Sequence, residues 1–118
     1  MAVAMTFVWP EITPDVYDAV RKKARWEEEP PDGCVLHVAW FADDGFHVLD
    51  IWESEEHFGR FIATRIEPVL KGELGVKSDP QPEFHPLYRR FIAPGISGAA
   101  GHPRRNLLRT PPPEAATA

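Results

Sequence analysis

The sequence predicts an α+β domain in the order β-α-β-β-α-β, with a four-stranded antiparallel sheet and two helices on one face. Three observations carry this. Val35–Glu53, VLHVAWFADDGFHVLDIWE, reads as two alternating strands joined at an Asp-Gly turn. Ala2–Trp9 alternates apolar residues and runs into a Thr13-Pro14-Asp15 helix start. Phe58, Phe61, Ile62, Ile66, Val69 and Leu70 recur at helical spacing.

In the first strand, Val3, Met5, Phe7 and Trp9 fall on one side and Ala4, Thr6 and Val8 on the other, and Pro10 ends it. The first helix has a hydroxyl N-cap, proline at its first position and an acid in its first turn. Val16, Tyr17, Val20 and Ala24 mark its inner face, and it should stop before the acidic loop Glu27–Gly33, which reads as a solvated connection. Ser54 caps the second helix, with Glu55 and Glu56 placed favourably for its dipole. Pro68 should bend that helix or end its regular part near Glu67, leaving Val69 and Leu70 in a loosened last turn. The last strand is expected over Glu83–Phe91, at a sheet edge or locally bulged because Pro86 has no N–H to donate.

Centring the hairpin on Asp44-Gly45 pairs Asp43 with Phe46, Trp40 with Leu49, Ala39 with Asp50 and His37 with Trp52. One face of the ribbon then carries Leu36, Val38, Trp40, Leu49 and Ile51. The other carries His37, Ala39, Phe41, Val48, Asp50 and Trp52. Two helices cover only one face of such a sheet. The tryptophan-bearing face is left to a partner, most economically a second copy under two-fold symmetry.

A chain of 118 residues, 43% apolar and 11% aromatic, is expected to form one domain with a real core. Net charge is −5, which gives no electrostatic case for nucleic acid or an anionic membrane. Cys34 is the single cysteine, so no intramolecular disulfide forms, and with an apolar start lacking a basic leader the expected location is the cytoplasm. No run is long enough to span a membrane. The domain is expected over residues 1–91, followed by a Pro/Gly/Ala-rich tail over 92–118. Within that tail, His102–Arg109 is basic with two leucines, and reads either as unstructured or as a protein-docking segment.

The element order, the LHVAW…DDGFHVLDIWES hairpin leading into a Ser-capped helix, and the Phe58/Phe61/Ile62 stripe together resemble the dimeric α+β-barrel, or ferredoxin-like, superfamily. Within it, Ala2–Tyr88 is similar to the antibiotic biosynthesis monooxygenase group. The resemblance implies a homodimer packed sheet to sheet, a site between sheet and helices, and a place in secondary metabolism. Members include cofactor-free monooxygenases of polycyclic phenols and anthrones, polyketide cyclases, isomerases and haem enzymes. The Asn-Trp-His set of the haem degraders is not evident, and the long tail departs from the group.

In that cavity the residues expected to carry chemistry are His37, Asp50 and Tyr17. His37 and Asp50, placed diagonally at about 7–8 Å by the assumed register, form an acid–base pair in which Asp50 orients the imidazole and His37 removes a proton. Tyr17 would offer a hydroxyl to a developing oxyanion. Ala39, Phe41, Val48, Trp52, Phe58, Phe61, Ile62 and Arg65 would contact a small, flat, apolar or aromatic substrate, with Val20 beside them. Set against this, the His–Asp pair can simply satisfy itself, Asp50 can pair with Arg65, and the stripe on the second helix is core packing first. The remaining histidines show no metal-ligand spacing, so neither metal nor cofactor is expected. Cys34 reads as a small apolar filler.

Overall fold

In the computed structural model, which describes residues 1–96, Val3–Trp9 (β1), Cys34–Ala42 (β2), Gly45–Trp52 (β3) and Glu83–Pro86 (β4) form one sheet. Its order is β2-β3-β1-β4, and every neighbouring pair is antiparallel. Pro14–Lys23 (α1) and Glu55–Phe61 (α2) lie on one face, giving the ferredoxin-like β-α-β-β-α-β arrangement. The core fills the space between that face and the helices, with Met5 and Trp52 fully enclosed. The opposite face is open. Leu36, Val38 and Trp40 remain 42%, 42% and 44% exposed, and Val8 and Leu49 lie on the same side.

The hairpin turns one residue earlier than the sequence suggests. Ala42 faces Gly45 across Asp43-Asp44, and the ladder runs through Phe41–Phe46, Ala39–Val48 and His37–Asp50. Each pairing is displaced by two residues from the expected one, so every side chain keeps its expected face. The reason lies at Gly45, which opens β3 at φ +124°, where an added Cβ would stand 2.6 Å from Pro10 Cα. The glycine serves a close approach to the end of β1 rather than the turn centre. A bulge between Cys34 and Leu36 brings Cys34 opposite Trp52, partly buried against the core.

The second helix loses its regular α form after Phe61. Ile62–Ile66 and Pro68–Glu73 are π-helical, so the expected regular stretch to Glu67 is shortened, while Val69 and Leu70 still bury. Pro68 has no N–H for the Thr64 carbonyl, and the wider turns accommodate that gap. β4 is an edge strand, as Pro86 requires, but ends at Pro86 instead of Phe91. Leu87 N–H adds one bond to Ala2 O at 2.9 Å, and Tyr88 and Phe91 beyond it are exposed. The His102–Arg109 segment lies outside the described residues.

Candidate active site

The site begins with how α1 starts and stops. Thr13 Oγ1 accepts from Val16 N–H at 3.2 Å, and Pro14 takes the first helical position, where no N–H is needed. At the other end Arg25 adopts φ +54°, Arg25 N–H bonds Lys22 O, and Trp26 N–H bonds Arg21 O. This is a Schellman motif, and it swings the Trp26 ring back over the sheet. Arg65 secures it, donating through Nη2 to Ala24 O at 2.5 Å and Arg25 O at 3.2 Å.

Where α1 crosses the hairpin, five side chains join in one hydrogen-bonded series. Arg21 Nη1 donates to Tyr17 Oη at 2.7 Å, and Tyr17 Oη lies 2.8 Å from His37 Nε2. His37 Nδ1 lies 2.7 Å from Asp50 Oδ1, and Trp52 Nε1 donates to Asp50 Oδ2 at 2.8 Å. The assignment that gives every polar atom a partner puts the imidazole hydrogen on Nδ1 and leaves Nε2 to accept from Tyr17. Among the described residues Asp50 is the one buried charged side chain, 2% exposed, and donors occupy both its oxygens. The Trp26 ring stands 4.6 Å from the imidazole, and the Arg21 guanidinium lies 4.9 Å from the Trp26 ring while pairing with Glu27.

All of this series but Arg21 lines a cavity between sheet and helices, about 520 Å³ counting the open solvent at its mouth. Tyr17, His37 and Asp50 line it together, as do Val20, Val48, Trp52, Phe58, Phe61 and Ile62. Phe58 and Phe61 are at once core and wall, packing on Trp52 at 5.6 and 5.8 Å. Three expected contact residues are placed elsewhere. Ala39 packs against the core without reaching the cavity. Phe41 sits at the strand end, 40% exposed, against Tyr17 and Phe46. Arg65 is committed to the carbonyls at the end of α1, so Asp50 pairs with His37 instead.

Burial pushes the Tyr17 phenol above its ordinary value, against the pull of the Arg21 charge. Burial disfavours the Arg21 cation, but Tyr17 and Glu27 outweigh it and raise Arg21 further. At neutral pH the series therefore presents a phenol and a guanidinium. Cys34 is pushed up to about 12, chiefly by burial, which leaves it an unreactive thiol. Among the described residues no three His, Cys, Asp or Glu side chains converge as a metal-binding group. No helix among them is long and apolar enough to cross a membrane.

Arg21, Trp26 and Glu27 belong to this site and are not evident as site residues from sequence alone. Arg21 could be found from its position one turn after Tyr17 on the same helix face. Trp26 could not, because the turn that delivers it relies on a left-handed arginine where the usual signal is glycine. Glu27, expected in a solvated loop, is the counter-ion of Arg21.

No protein-family model matches the chain, and no curated protein matches it in sequence. Among solved structures it is similar to the NE2512 protein of unknown function from Nitrosomonas europaea. The TM-score is 0.54 at 16% identity, covering 80% of this chain and 95% of that one. Similarity is lower to a putative antibiotic biosynthesis monooxygenase from Bacteroides thetaiotaomicron, with TM-score 0.48 and 16% identity over 81% of this chain and 93% of that one. It is lower again to SnoaB, a cofactor-independent oxygenase from Streptomyces nogalater, with TM-score 0.44 and 16% identity over 79% and 95%. At 16% identity the likeness to the NE2512 protein speaks to the fold alone.

Proposed function

We propose that the chain is a cytoplasmic, homodimeric enzyme that removes a proton from a small, flat, apolar substrate, of the cofactor-independent monooxygenase kind. One observation carries this reading: an imidazole fixed by a buried carboxylate at the wall of an aromatic cavity, Nδ1 to Oδ1 2.7 Å. Proton removal leaves a carbanion or phenolate stacked between aromatic rings. If it is electron-rich enough it reduces dioxygen directly, and otherwise the same pair serves isomerisation or cyclisation. A non-catalytic binding role is favoured by a different fact, that His37 and Asp50 already find all their partners within the chain.

Anthrone, a flat tricyclic C–H acid, discriminates between them. Oxidation converts its methylene to a carbonyl, with one dioxygen consumed and one water released per molecule. Wild-type protein should accelerate this, and His37→Ala should lower turnover by about 10²–10⁴-fold. Unchanged turnover in His37→Ala removes the imidazole from the mechanism. Binding of anthrone without oxidation or proton exchange supports the binding role, and a red preparation would point to haem.

A further inference from the structure

Resting on that acid–base reading, we propose that the substrate's proton leaves through Tyr17 Oη, which passes its own to His37 Nε2, and that Arg21 is the positioning residue for this transfer. His37 cannot act alone in the geometry observed. Its Nδ1 is held by Asp50, whose second oxygen is held by Trp52, so the ring is fixed and Nε2 is its basic atom. That atom faces Tyr17 Oη at 2.8 Å, and the Trp26 ring lies beside the imidazole at 4.6 Å. A substrate acid must either displace the phenol or use it.

The phenol is equipped to be used. A tyrosine oxygen has one hydrogen and two acceptor positions. The hydrogen goes to His37 Nε2, Arg21 Nη1 fills one acceptor position at 2.7 Å, and one acceptor position is left on a residue that lines the cavity. In the transfer, the substrate C–H or O–H bond breaks and its electron pair stays on the substrate. A new O–H bond forms on Tyr17 as the old one breaks, and a new N–H bond forms at His37 Nε2. The result is a substrate anion and an imidazolium beside Asp50, with no oxidant or reductant consumed. Arg21, its side chain 18% exposed and held by Glu27 and the Trp26 ring, fixes the oxygen and opposes negative charge on it as the two protons move.

The test follows loss of deuterium from methylene-deuterated anthrone under anaerobic conditions, with full-length protein and anthrone affinity measured by tryptophan fluorescence. Tyr17→Phe should lower the exchange rate at saturation by about 10²-fold or more. Its affinity for anthrone should stay within about tenfold, the worth of one hydrogen bond. Arg21→Met should lower the rate about tenfold, and Arg21→Lys, which restores a donor and a charge, should recover most of it. Exchange by Tyr17→Phe within about threefold of wild type, with His37→Ala inactive, overturns the relay and leaves the acid–base reading standing. Full activity in Arg21→Met, or no recovery in Arg21→Lys, overturns the role of Arg21. Wild-type protein that binds anthrone without exchanging it overturns relay and reading together.

Discussion

The indole N–H of Trp52 donates to Asp50 Oδ2 at 2.8 Å, two residues along one face of β3. The bond occupies the carboxylate oxygen that His37 does not, on a side chain only 2% exposed. Trp52→Phe keeps a ring in the cavity wall but leaves that oxygen without a donor. The expected loss is about 1–3 kcal/mol, read as a lower midpoint in urea denaturation. Retention of full stability would mean that Asp50 finds another donor.

Gly45 provides a second test at the opposite end of the same strand. Its φ of +124° and the 2.6 Å gap between an added Cβ and Pro10 Cα leave no room for a side chain. Gly45→Ala should cost about 1–3 kcal/mol from backbone strain, with the collision added to it, measured by thermal and urea unfolding. A Gly45→Ala protein as stable as wild type would show that the hairpin can re-register around its turn.

The loop after the second helix is held by an exposed carboxylate. Glu11 accepts from Lys77 N–H at 2.9 Å, Ser78 N–H at 2.8 Å and the Ser78 hydroxyl, which in turn accepts from the Trp9 indole at 2.8 Å. The Ser78 side chain and the two backbone donors hold Glu11 down at about 2, against a reference of 4.5. A carboxyl whose folded value is depressed stabilises the fold above its unfolded value, and that contribution is lost as pH falls toward the folded one. Amide exchange protection at Lys77 and Ser78 should therefore hold at neutral pH and fall between pH 4.5 and about 2. Glu11→Gln should flatten that dependence.

The proposed homodimer rests on the open face of the sheet, where Leu36, Val38 and Trp40 are exposed side by side. Trp40→Glu places a charge in the middle of that surface. Sedimentation equilibrium should show a dimer for the wild-type protein and a monomer for the variant, with the sheet still folded by circular dichroism. A monomeric wild type would remove the dimer from the proposal.

The fold was legible because its signals are local and repeated. Alternation in Val3–Trp9 and in the hairpin, the Thr13-Pro14 and Ser54 caps, and the edge placement forced by Pro86 each act within a few residues. Register was less legible, since Asp44-Gly45 satisfies a turn rule while the glycine is claimed by Pro10, distant in sequence. The parity of the slip kept His37 and Asp50 on one face and made them direct partners instead of diagonal ones. The site was half legible for a similar reason. A His and an Asp on an otherwise apolar strand face stand out, whereas Arg21, Trp26 and Arg65 are assigned by the end of α1. Helical spacing alone offers Arg21 to Tyr17, but only the folded turn reveals that Trp26 joins them and that Arg65 holds the carbonyls.

The left-handed turn at Arg25 that places Trp26 is itself tied to the acidic connection, since Glu29 N–H bonds Arg25 O at 2.8 Å and Arg25 Nε donates to Glu29 at 3.2 Å. Further along, Pro31 is buried and its carbonyl accepts from Cys34 N–H at 3.2 Å, so the connection is anchored at both ends. An engineer who redraws this doorway therefore also moves a wall of the room, unless Glu29 and Pro31 are kept.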